Sequence, residues 1–251
     1  TVRRGVAMSR PKSPEEFASY YQRGEIADHY DRDRSRTLKH MVVRELEREF
    51  FCGAAPTGGS VLELGIGTGE IAAAVSARSA LLGIDSSAAM LAHARARVPG
   101  VRLQELSMFD IDTLEEQFAM IYTSRVFLHL DKGDLITMLS RCAGPLQSGG
   151  LLVFDLQRPN PTKWILDRVQ PQKMFNYRYS REDIADAVAR EPRLRVKTVV
   201  ALEHMALLGL AALIPAPRKG SALVRFLVRS DQRLASIAFS ANRWGVGCER
   251  I

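Results

Sequence analysis

Glu63, Gly65, Gly67, Gly69 and Glu70 fall within the ten residues VLELGIGTGE, where a short apolar run meets a helix-like stretch. Glycines at alternate positions let the chain turn sharply and let a ligand approach the peptide groups themselves. Two common ligands do not fit. The dinucleotide fingerprint G-x-G-x-x-G places its third glycine at position 70, which is Glu70. The Walker loop ends in Gly-Lys-Ser/Thr, which is absent here. Glu63 and Glu70 also put negative charge where a pyrophosphate would need the bare positive end of a helix. The turn suits a ligand that is not anionic at that point.

Such a turn needs a strand to deliver it and a helix to receive it. Ser60–Leu64 reads as the strand and EIAAAVSAR as the helix. The alternation continues with strand ALLGID, helix SAAMLAHARARV, strands VRLQELSM and FAMIYTS, helix KGDLITMLSRCAGPL ended by QSGG, and strand LLVFDLQ. Strands too apolar to face water, joined by helices, predict a parallel sheet covered on both faces. Upstream, residues 14–50 read as helical, with Ser13 and Pro14 at the start. A second helix there carries the stripe Leu38, Met41, Val42, Leu46 and Phe50. Downstream, Ser180 caps helix SREDIADAVARE, RLRVKTVVALEH is a strand, and RWGVGCERI closes the sheet. The expected fold is α/β: a Rossmann-like, doubly wound, mostly parallel sheet. An N-terminal helical cap spans 1–55, the main domain spans 56–251, and a helical insertion occupies 205–240 before the last strand. The start TVRRGVAMSRPKS lacks the apolar core of a signal peptide, and Met8 reads as the native initiator, with residues 1–7 foreign to the natural chain.

Composition agrees with a packed domain: 251 residues, 46% hydrophobic and 25% charged. Cys52, Cys142 and Cys248 are widely spaced without a CxxC, which indicates neither a disulfide framework nor a metal site, and suits a reducing cytoplasm. The apolar run MALLGLAALIP is about half of a bilayer crossing and reads as a buried or substrate-facing helix. Net charge is +7, scattered along the chain except for DRDRSRTLKH, as on an arginine-rich solvated surface.

ELGIGTG resembles the E/D-x-G-x-G-x-G motif of class I S-adenosylmethionine (SAM)-dependent methyltransferases. The resemblance covers about Ser60 to Leu156. It implies that Gly65, Ile66, Gly67 and Gly69 border the aminoacyl part of SAM, with Glu63 organising its ammonium end. It also implies that Asp85 and Ser86 meet the ribose, and that Met108, Phe109 and Asp110 meet the adenine. SAM carries no phosphate, in keeping with the two flanking acids. Ala119 departs from the family, many members of which have an acid there, and Tyr122 is unusually polar for a strand end.

In open α/β sheets, ligands bind beyond the carboxyl ends of the strands. His129 in SRVFLHLD is the candidate general base; its alternative is packing or orienting the segment. Arg125 lines the site, either near the cofactor or as an anion clamp. Tyr30 closes the pocket through its π face, with Tyr21 and Arg34 beside it, or serves helix packing. Trp164 and Tyr177, near Phe175 and Tyr179, wall an acceptor pocket or form a satellite core. The expected activity is methyl transfer from SAM, leaving S-adenosylhomocysteine, to O, N or C of an anionic or apolar small molecule, by a cytoplasmic monomer or homodimer. An RNA or DNA base methyltransferase is less favoured: TSRV stands where a base-stacking Asn/Asp-Pro-Pro-aromatic motif would be. A SAM-binding protein without transfer is the third alternative.

Overall fold

A computed structural model describes residues 24–159, 176–204, 211, 213–217, 221–233 and 241–251. Two helices, α1 (Gly24–Asp33) and α2 (Leu38–Ala54), precede β1 (Ser60–Leu64). There follow α3 (Ala72–Val75), β2 (Ala80–Asp85), α4 (Ala88–Arg97), β3 (Arg102–Glu105), β4 (Phe118–Thr123), α5 (Lys132–Ala143) and β5 (Leu146–Gln157). The described remainder holds α6 (Arg181–Ala189), β6 (Leu194–His204), α7 (Ala222–Arg233) and β7 (Ala241–Arg250). Short 3-10 turns at Met108–Thr113 and Phe127–His129 follow β3 and β4.

The strands form one seven-stranded sheet in the order β3-β2-β1-β4-β5-β7-β6. Pairings from β3 to β5 are parallel, and β7 runs antiparallel between β5 and β6. The period-two alternation of the strands sorts the core into two layers. Leu62, Leu64, Ile84, Ile121, Leu152 and Phe154 face Leu135, Met138 and Leu139 of α5 and Ile184 of α6. Val61, Leu81, Met120, Tyr122 and Val153 face Phe51 of α2, Ala72 and Val75 of α3, and Leu91 of α4.

Side-chain caps start the helices where the sequence offers them. Thr37 caps α2, Ser87 caps α4 and Asp131 caps α5. Ser180 and Asp183 form a reciprocal capping box on α6. Some elements differ from the sequence reading. The helix after the glycine turn shortens to four residues. β3 is a largely exposed edge strand rather than an apolar one. β5 starts at Leu146, through QSGG, with a register shift opposite Phe118–Met120. On α2 the buried residues are Leu38, Val42, Val43, Leu46, Glu47 and Phe51, while Met41 and Phe50 pack only in part. The helix expected to start at Pro14 lies outside the described residues before Gly24.

Candidate active site

Gly65, Gly67 and Gly69 adopt positive φ of 67°, 55° and 75°, a region that L side chains rarely enter. Their surroundings differ. A Cβ on Gly65 would lie 2.7 Å from Val126 Cγ2, because the chain leaving β4 passes directly over it. On Gly69 it would crowd Val98 and Ala94 at the end of α4, whereas on Gly67 it would meet nothing within 4 Å. Gly67 therefore presents bare backbone to open space.

Asp85, at the end of β2, holds that backbone in place. Its Oδ2 accepts the Gly67 N–H at 2.8 Å and its Oδ1 accepts the Ser87 N–H at 2.9 Å. Burial raises the Asp85 carboxyl above its ordinary value, opposed by these two bonds. Each oxygen keeps a further lone pair, so the group can hold the turn and still accept ligand hydroxyls. Ser86 beside it is half-buried. Arg97 donates to the Thr68 carbonyl at 2.8 Å, and Arg44 of α2 pairs with Glu70. The Leu106 N–H donates to the Asp85 carbonyl at 3.1 Å, which brings the Met108–Thr113 turn beside the acid. In that turn Met108 and Phe109 are half-buried and Asp110 is exposed.

Ile66 and Glu63 point into the core. Ile66 packs over Gly83, where a Cβ would come within 2.2 Å of its Cδ1, so only its backbone borders the turn. Glu63 is buried, and its Oε2 accepts the Tyr122 hydroxyl at 2.6 Å across the β1–β4 register. Burial, opposed by that bond, raises the Glu63 carboxyl to about 8. The odd tyrosine of β4 thus serves the acid of the glycine motif.

A buried ion cluster lies where β4, β5 and β6 end and β7 begins. Arg243, 2% exposed, pairs through Nη1 with Asp155 and through Nη2 with Glu203 and with Glu47 Oε1 (2.6 Å). Arg125 pairs with Glu47, and more loosely with Glu203 Oε1 at 3.4 Å; Arg34 reaches Glu47 Oε2 at 3.0 Å. The guanidinium charges of Arg34, Arg125 and Arg243 balance the carboxylates of Glu47, Asp155 and Glu203, as a buried cluster requires. Burial works against ionisation of Glu47, but Arg125, Arg243 and Arg34 outweigh it and hold its carboxyl at about 2. Among the described residues, Arg125 and Glu203 alone combine a side chain with positive φ, both at 61°. Asp155 accepts the Arg125 N–H at 2.6 Å, and Asp231 of α7 accepts those of Glu203 and His204 at 3.2 and 2.7 Å. Such backbone costs about 1–3 kcal/mol per residue, and those carboxylates hold it.

The remaining candidates divide. Arg125 and Arg34 belong to this cluster, at 31% and 24% exposure, and the Arg34 guanidinium lies 5.2 Å from the Tyr30 ring centroid. Arg34 Nη1 donates to the Tyr30 hydroxyl at 3.0 Å. His129 is half-buried in the turn after β4, and the Tyr177 N–H donates to the neighbouring Leu128 carbonyl at 2.9 Å. The two therefore share one edge of the site. Tyr21 and Trp164 lie outside the described residues. Among those described, no group of three or more His, Cys, Asp or Glu could hold a metal. Glu47, Asp155, Glu203 and Arg243 were not among the sequence candidates. The one local signal for Glu47 is its place between Val43 and Phe51, four residues from each on the inward face of α2.

Residues 61–150 match the family model described as a methyltransferase domain. The fold is similar to geranyl diphosphate C-methyltransferase from Streptomyces coelicolor A3(2): TM-score 0.64, 17% identity, covering 96% of this chain and 100% of that one. A SAM-dependent methyltransferase from Archaeoglobus fulgidus gives TM-score 0.59 at 17% identity, covering 82% and 94%. Magnesium protoporphyrin IX methyltransferase from Synechocystis PCC 6803 gives 0.53 at 12%, covering 97% and 90%. No curated protein matches by sequence. Residues 61–150 thus carry a methyltransferase domain, with the glycine turn at the carboxyl end of β1, in a fold similar to that of the solved SAM-dependent methyltransferases.

Proposed function

We propose that the protein transfers the methyl group of SAM to an O, N or C atom of a small-molecule acceptor, leaving S-adenosylhomocysteine. The observation that carries this reading is the uncrowded, half-buried backbone at Gly67, held by Asp85 and bordered by the Met108–Asp110 turn. These residues fit a phosphate-free nucleoside: open peptide groups for the aminoacyl end, a carboxylate for the ribose hydroxyls, and half-buried Met108 and Phe109 with Asp110 for the base. Bound SAM supplies an electrophilic methyl on a sulfonium, which leaves as the acceptor's electron pair forms the new bond.

The chain's own part is to orient, exclude water and accept a proton. His129, half-buried in the turn after β4, is the residue proposed to take the acceptor's proton, with Tyr177 as a wall of the same edge. Tyr30, stacked by Arg34, closes the helical side. Arg125 is paired with Glu47 and Glu203 within the cluster, so its role is to shape the floor of the acceptor site rather than to clamp an anion alone. Small molecules are favoured over nucleic acid because no base-stacking motif follows β4. Several of the structurally similar enzymes act on small molecules, geranyl diphosphate among them.

Titration calorimetry with SAM and with S-adenosylhomocysteine tests the reading. Both are expected to bind, the product at least as well as the donor. Absence of heat with either ligand ends it.

A further inference from the structure

Among the described residues, five large apolar side chains are strongly exposed: Leu213, Ile214, Leu223, Phe226 and the terminal Ile251. All but Ile251 belong to the segment between β6 and β7. The stretches that carry these four both pack against α2. The Leu38 N–H, at the start of α2, donates to the Ile214 carbonyl at 2.9 Å, and Thr37 bridges Pro215. Val224 and Val228 of α7 pack on Leu38, Val42 and Leu46 of the same helix. The outer face of α7 carries Leu223 and Phe226, 45% and 65% exposed, and Leu213, next to the Ile214 that meets the start of α2, is 83% exposed. Single exposed apolar residues are ordinary, but a gathered set marks a surface that meets something.

Charge indicates what it meets. α7 reads ALVRFLVRSDQR. At helical spacing, Arg229 and Arg233 lie on the same outward face as Phe226. All three are exposed, as are Arg225 and, at the α2 end, Arg36. The one acid of α7, Asp231, is turned inward and holds the end of β6. An amphipathic helix with aromatic and aliphatic side chains set among arginines suits the interface of an anionic bilayer. No helix among the described residues is long and apolar enough to cross a membrane; an amphipathic helix lies in the interface plane.

The surface also faces the ligand side of the sheet. Along α2, Arg44 reaches Glu70 at the glycine turn and Glu47 reaches the ion cluster, so the start of that helix lies at the carboxyl ends of the strands. We propose that the Leu213–Ile214 turn and the outer face of α7 dock the protein on an anionic lipid surface. The site would then open toward the bilayer, where an apolar acceptor dissolves; that last clause alone rests on the methyltransferase reading.

Co-sedimentation with vesicles of phosphatidylcholine, with and without phosphatidylglycerol, tests the docking without any cofactor. Binding is expected only to the anionic vesicles and should weaken as salt rises. Arg229→Gln with Arg233→Gln should lower it by about fivefold per arginine, and Phe226→Ser by about tenfold. Circular dichroism melts of these surface variants should match the parent. Failure to bind anionic vesicles overturns the proposal. So does equal binding to both vesicle types, or binding that these variants leave unchanged. Self-association lost in Phe226→Ser, without vesicle binding, would show that a second copy covers the patch. Failure of SAM to bind leaves the docking claim standing, so the two readings fail separately.

Discussion

At the scale of single residues, the site depends on what lies behind the glycines. Asp85 receives two backbone N–H groups, so it sets the shape of the turn as well as offering its oxygens to a ligand. Asp85→Ala should therefore weaken SAM binding by more than about tenfold by calorimetry, the loss of at least one charged hydrogen bond. Glu63 presents the opposite case, a buried acid that favours its proton. Its carboxyl is raised to about 8 by burial, so between its unfolded value and that pH the folded state holds the extra proton. Stability should accordingly be fully present at acid pH and decline as pH rises through that window, by up to about 1.4 kcal/mol per pH unit. Urea titrations at a series of pH values should show this slope in the parent and its loss in Glu63→Gln. His129→Ala, if the imidazole is the base, should lower turnover about a hundredfold with SAM affinity unchanged. Equal turnover in that variant would remove His129 from the chemistry.

At the scale of elements, α2 is the piece that connects the helical side to the catalytic end. Phe51 packs on Tyr122, Arg44 reaches the glycine turn, and Glu47 joins Arg34, Arg125 and Arg243. Glu47→Ala would leave Arg243 buried with an excess of positive charge, and the expected loss is about 3–5 kcal/mol in a denaturant melt. Most strands and the glycine turn were legible in the sequence because their signals are local: apolar runs, alternate glycines, and acids near the ends of β1 and β2. The ion cluster was not. Glu47 and Arg243 stand 196 positions apart, and neither has a local partner that would mark it. Tyr122 was visible as an anomaly, but its reason lies on the neighbouring strand. The helix after the turn was overread because alanines have high helix propensity, whereas only one turn of it forms before Ser76.

At the scale of the whole molecule, the sheet order places β1, β4 and β5 centrally, with their carboxyl ends open to one side. The antiparallel β7 then delivers Arg243 to the same edge, since its first residues lie beside the last of β5 and β6. That arrangement gathers the glycine turn, His129, Tyr177 and the ion cluster at a single end, next to the basic and apolar face of α7. The sequence order of strands and helices foretold a parallel sheet but carried no sign of the reversal, which is a matter of long-range pairing. The most direct test of the central claim follows labelled methyl from SAM into separated metabolite, lipid and tRNA fractions. Label in the metabolite or lipid fraction, abolished in Asp85→Ala, is the predicted result. Label confined to tRNA, or tight SAM binding without label in any fraction, would contradict it.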